Sequence, residues 1–135
     1  MDINISTAPQ GVPTEIMANF VSTLFHSRTQ AHTFHLQTNS FAAHSALNVY
    51  YDEIIGIVDG LVESYQGRYG ILKGYQGMGE DLEYDENIVA KYFEALCMYV
   101  EKNRQLLPQD SYIQNQVDEI VALIESTKYK LIYLH

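Results

Sequence analysis

Apolar residues recur at spacings of three and four along four stretches of the chain, the signature of amphipathic helices. Met17, Phe20, Val21, Leu24 and Phe25 form the first stripe and predict a helix over about 14–36, entered through Pro13 with Thr14 as its N-cap. The polar break Gln37-Thr38-Asn39-Ser40 ends it, and Asn39 or Ser40 caps the next helix, predicted over about 41–66. Leu47, Tyr51, Ile54, Val58, Leu61 and Tyr65 form its core stripe. A third helix over about 85–103 carries Val89, Tyr92, Phe93, Leu96 and Val100, and Leu107-Pro108 closes that region. Ser111-Tyr112-Ile113-Gln114 has the pattern of a capping box, and opens a fourth helix over about 111–133 with Ile113, Val117, Ile120, Ile124 and Leu131 facing inward.

Residues 1–12 read as a short N-terminal arm. Residues 67–84 hold five glycines (Gly67, Gly70, Gly74, Gly77 and Gly79) and read as a long connection with room for one helical turn. A connection of that length between packed helices is a crossover or a functional loop. One all-α domain over 1–135 is expected, a four-helix bundle whose single long crossover between the second and third helices is the ferritin-like variant.

Composition narrows the function. The apolar share of 47% and charged share of 19% suit a folded, water-exposed domain. A net charge of -9, with eight basic residues and no basic run, argues against DNA binding, which rests on neutralising phosphates with Lys and Arg. No apolar run reaches the roughly 18 residues that span a membrane. The polar N-terminus lacks a signal-peptide core, so a cytoplasmic location is expected. The single cysteine, Cys97, excludes an intrachain disulfide and sits in an apolar stretch, as a buried small side chain would.

The candidate chemistry lies around the first turn. Four of the five histidines fall between positions 26 and 44. An antiparallel hairpin centred near Thr38 puts His32 opposite His44, six residues to either side, so these two imidazoles are expected to approach each other. In the second helix His44 and Asn48 share a face, as do Asp59 and Glu63. Histidine with carboxylate suits iron or zinc. Asp59, however, lies 15 residues beyond His44, about 22 Å along a helix, whereas metal–ligand bonds are about 2 Å. One chain alone therefore cannot bring both clusters to one ion. Two such helices lying antiparallel about a two-fold axis can, with His44 of one copy facing Asp59 of the other.

The pattern His32-x11-His44-x3-Asn48-x10-Asp59-x3-Glu63 resembles the ferroxidase signature of the Dps family, the mini-ferritins that protect DNA in starved bacteria. That family has His, His, Asp, Asp and Glu at this spacing. Asn39-Ser40-Phe41-Ala42-Ala43-His44 resembles its segment leading into the second histidine, and residues 111–134 resemble its last helix. The resemblance implies a homo-oligomer, a two-fold dimer within a shell of usually twelve subunits. It also implies Fe(II) oxidised by peroxide or oxygen at inter-subunit two-metal sites, with zinc a substitute metal. His32, His44 and Asn48 would come from one subunit, and Asp59 and Glu63 from its mate. His35 and Asp52 are secondary candidates, Asp52 as a replacement for the acid missing at position 48. The chain departs from the family at Asn48, a neutral amide where an acid is usual. Thr33 stands where a tryptophan is usual, and the Lys-rich tail is absent. The alternative reading is a ferritin-like structural or interaction protein that has lost ferroxidase activity. His26 and His135 are expected to be solvated, as is the acidic run Glu80–Asp85.

Overall fold

The computed structural model describes residues 14–77 and 79–135, so the expected arm at 1–12 lies outside the described residues. Those residues form four α-helices and no strand: α1 (Thr14–Gln37), α2 (Phe41–Tyr69), α3 (Glu86–Asn103) and α4 (Ser111–Tyr133), with a short 3-10 turn at Arg104–Leu106. α1 packs on α2, α2 on α4 and α4 on α3, and α3 returns more lightly to α1, so the four helices close a bundle.

The apolar stripes meet inside it. Phe20, Leu24 and Phe34 of α1, Leu47, Tyr50 and Ile54 of α2, Phe93 and Val100 of α3, and Ile113 and Ile120 of α4 are wholly buried. Each such side chain contributes roughly 1.5–3 kcal/mol by leaving water. Tyr50 stands edge-on to Phe93 at 4.9 Å, and Phe34 edge-on to Tyr92 at 5.8 Å. Burial pushes the Tyr50 phenol far above its ordinary range, so it stays protonated. It lies 2.6 Å from the Ser27 hydroxyl, whose own proton is directed to the Leu24 carbonyl.

Local chemistry sets the helix ends. Ser40 caps α2 by accepting from the Ala43 amide at 3.1 Å, and Asp85 caps α3 by accepting from the Asn87 amide at 2.7 Å. α2 runs three residues past the expected 66 and stops at Gly70, whose φ of 98° is one that side chains rarely adopt. The expected capping box of α4 does not form. Gln114 instead accepts from Arg104 Nε and donates to the carbonyls of Arg104 and Pro108, tying the α3–α4 turn together. Asp110, the residue before α4, makes no side-chain cap because Tyr69 donates to its carboxylate and Arg68 lies beside it.

The connection between α2 and α3 contains no helix among its described residues. It lies along α1 and in the same direction. Gln76 donates its amide to Ser22, Gln30 bonds both backbone groups of Leu82, and the Tyr84 amide donates to Gln37. Tyr75 stacks on Phe25, and His26, expected to be solvated, meets Asp81 at 3.0 Å. The acidic run is thus partly engaged by α1 rather than free in solvent.

Candidate metal centre

The α1–α2 turn is built from three residues. Thr38 donates its amide to the Phe34 carbonyl, its hydroxyl accepts from the Ser40 amide, and Ser40 caps α2. Gln37 is still helical, so residues 38–40 centre the turn on Asn39, not on Thr38. Moving the centre toward α2 shifts the cross-hairpin partners beside the turn by two to three residues. The imidazole that meets His44 is accordingly that of His35, not His32.

The His35 and His44 rings stack with centroids 3.6 Å apart and planes 20° from parallel. Each Nδ1 lies against the other residue's carbonyl oxygen, at 2.7 Å for His35 and 2.9 Å for His44. A carbonyl only accepts, so both Nδ1 atoms carry hydrogen in these bonds. In the neutral rings the lone pair is then on Nε2, and neither Nε2 has a hydrogen-bond partner among the described residues. Fixing a histidine through Nδ1–H to a carbonyl while leaving Nε2 free is how proteins orient imidazole ligands. His35 is buried and His44 exposed, so the pair runs from the bundle wall to its surface.

His32 is the next ring inward along α1. It stacks on Tyr51 of α2 at 4.3 Å, and lies 6.1 Å from the His35 ring. Tyr51, placed by its spacing on the core stripe, is half-buried and belongs to this cluster. It stands edge-on to His35 at 5.2 Å and donates its hydroxyl to Asn48 Oδ1 at 2.7 Å. Asn48 in turn donates Nδ2 to Asp52 at 3.0 Å. Its amide is therefore occupied on both sides, and the acid nearest position 48 is Asp52, one turn on.

Asp59 and Glu63 stand on the outer face of α2, exposed and without a hydrogen bond or ion pair among the described residues. Fifteen residues of unbroken helix separate Asp59 from His44, about 22 Å. Among the described residues no group of three or more His, Cys, Asp or Glu side chains is close enough to hold a metal ion. No helix among them is long and apolar enough to cross a membrane.

A correct turn centre would have found the His35–His44 pair from sequence. The role of Tyr51 has no such signal, because a residue at core spacing and one at the edge of the core look alike in the pattern.

Residues 35–131, well over half of the chain, match a family of unknown function, DUF5856, and the chain belongs to that family. The matched span begins at His35 and takes in His44, Asn48, Tyr51, Asp59 and Glu63, while His32 lies just outside it. No curated protein and no solved structure matches the chain.

Proposed function

We propose that the chain is a ferritin-like protein of the mini-ferritin (Dps) kind, which binds Fe(II) at sites completed by a second copy, oxidises it and stores or detoxifies the product in the cytoplasm. The observation that carries this reading is the His35–His44 pair, whose hydrogen bonds leave two oriented Nε2 donors at one end of α2, while at the other stand two carboxylates without a polar partner among the described residues. The donor set fits the metal: imidazole accepts iron(II), and hard carboxylate oxygen favours the ferric product. His44 with His35 or His32 forms the nitrogen half, and Asp59 and Glu63 of a second copy form the oxygen half. Iron is the substrate and gives up its electron to peroxide or oxygen; zinc would occupy the same donors without turning over. The α2–α3 connection, running beside α1 in the same direction, supports the long crossover of a ferritin-like bundle. A homodimer is the minimal functional unit in this reading, and a twelve-subunit shell its storage form.

The test is Fe(II) added anaerobically, then peroxide, followed by the ferric absorbance. Wild type should oxidise iron well above the buffer rate, and Glu63→Gln should fall to it. Equal rates in wild type and variant would remove the ferroxidase reading.

Asn48 favours a second reading. Its amide is held between Tyr51 and Asp52, so the position where the mini-ferritins carry an acid offers a metal no charge and an oxygen already engaged by Tyr51. A ferritin-like interaction protein without ferroxidase activity would have this feature. Purified protein that contains no metal and takes up none from an Fe(II) titration would favour it.

A further inference from the structure

The proposed site takes a second copy lying antiparallel on the α1–α2 face, and the inference here rests on that arrangement. The register of the hairpin follows from two contacts, the His35 ring on His44 and the Ser27 hydroxyl on Tyr50. Arg28 of α1 therefore lies level with residues 49–51 of α2, within one turn of Asp52. The midpoint between His44 and Asp59 falls between Tyr51 and Asp52. A two-fold axis that carries the partner's Asp59 to His44 must then cross α2 at Tyr51–Asp52, within one turn of the level of Arg28.

Charge at that level is unusual for this molecule. The outward side of α2 carries Asp52, Glu53, Asp59 and Glu63, all exposed, and α2 has no Lys or Arg before Arg68. Two such faces brought together repel. Arg28 is the sole Lys or Arg of α1, and it is exposed. Among the described residues it has no carboxylate partner, whereas Arg68 and Lys128 each have one and Arg104 has two. Asp52 has only the neutral Asn48 amide. One turn further along α2, Gly56 is exposed, and a Cβ built there would meet nothing within 4 Å. A glycine inside an exposed helix costs roughly 1 kcal/mol against alanine, and nothing among the described residues calls for it. It leaves room for another backbone.

We propose that two copies of the chain pair on the α1–α2 face through a reciprocal latch at the two-fold axis, Arg28 of each to Asp52 of the partner subunit. Two guanidinium groups and two carboxylates gather near the axis, each long Arg28 side chain reaching diagonally across it to the partner's Asp52. The latch offsets the repulsion of the acidic faces and sets the register that His44 and the partner's Asp59 need. Because the axis repeats every contact, one substitution removes two pairs.

Sedimentation in EDTA and in Zn(II), on wild type, Arg28→Glu, Asp52→Arg and the double variant, tests it. Each single reversal should raise the dimer Kd roughly a hundredfold, since two attractive pairs become repulsive, and the double variant should return it close to wild type. Circular dichroism checks that each variant folds. Single reversals that leave Kd unchanged, or a double variant as weak as the singles, overturn the latch; if wild type still takes up Zn(II) the metal reading survives that outcome. A restored double variant in a protein that takes up neither Zn(II) nor Fe(II) upholds the latch and removes the metal reading. A wild type that stays monomeric in both buffers removes both.

Discussion

The two ends of α2 differ in how far the single chain has already organised them. At the N-terminal end His44, Asn48 and Asp52 are bound to His35, Tyr51 or one another. About four turns on, Asp59 and Glu63 touch no polar partner among the described residues. The nitrogen donors are held by the fold of one chain, so their orientation costs nothing at the moment a ligand arrives. The carboxylates keep their rotamer freedom until something docks on them, and ordering each then costs about 1 kcal/mol. The difference predicts that substitutions at one end act on stability and at the other on binding alone.

The largest expected effect is at His35. Truncation to alanine removes a buried ring, its stack on His44 and its hydrogen bond to the His44 carbonyl, leaving only the His44 ring bonded to the backbone carbonyl of residue 35, and should destabilise the chain by about 3 kcal/mol in urea unfolding. Asp59→Ala and Glu63→Ala should stay within about 0.5 kcal/mol. Comparable losses at both ends would erase the distinction drawn above.

His44→Asn sharpens it. The asparagine amide nitrogen sits where Nδ1 sits and retains a donor for the His35 carbonyl, but no counterpart of Nε2 remains. Stability should fall by about 1–2 kcal/mol, mainly from the lost stack, while Zn(II) uptake measured by calorimetry falls at least tenfold. Unchanged Zn(II) affinity would take His44 out of the site.

A smaller effect is expected far from either cluster. Tyr69 donates to Asp110, and this bond, ahead of the nearby Arg68, holds the Asp110 carboxyl below its ordinary range. A carboxyl whose folded-state pKa is lowered stabilises the fold above its unfolded value, and that contribution is lost as pH falls through the folded value. Tyr69→Phe should therefore cost about 1 kcal/mol near neutral pH, and progressively less as pH drops below the usual carboxylate range, in paired unfolding curves. A cost that grows on acidification would contradict this assignment.

The smallest is Gly56→Ala. With open space around the position, the isolated chain should gain about 0.5–1 kcal/mol from better helix propensity. Its dimer should be no tighter and, where the helices approach closely, weaker. A gain in both would leave Gly56 without a role in association.

The helices were legible because their apolar residues repeat at the period of the helix; of the caps, Ser40 was legible as one of two candidates, whereas the capping box expected at Ser111 does not form. The histidine pairing was legible only in part. Reading the turn as centred on Thr38 selected His32, because the sequence pattern does not reveal that Gln37 is still helical and Thr38 turns the chain through its own hydroxyl. Asn48 was visible as a departure, but its capture by Tyr51 and Asp52 depends on rotamers that spacing does not report. The path of residues 70–85 was the least legible part, since glutamine and serine side chains fasten it and these follow no period.

That fastening has a consequence for motion. Gln30 gives its carbonyl oxygen to the Leu82 amide and its amino group to the Leu82 carbonyl, and Gln37 receives the Tyr84 amide. A stretch with no helix or strand among its described residues is thus clipped to α1 as a third chain would be to a sheet edge. Its amide hydrogens at Leu82 and Tyr84 should survive in deuterated water about as long as those of α1, and a Gln30→Ala chain should lose the Leu82 protection first. The segment is a strap rather than a lid: freeing it means stripping α1 of its outer hydrogen bonds.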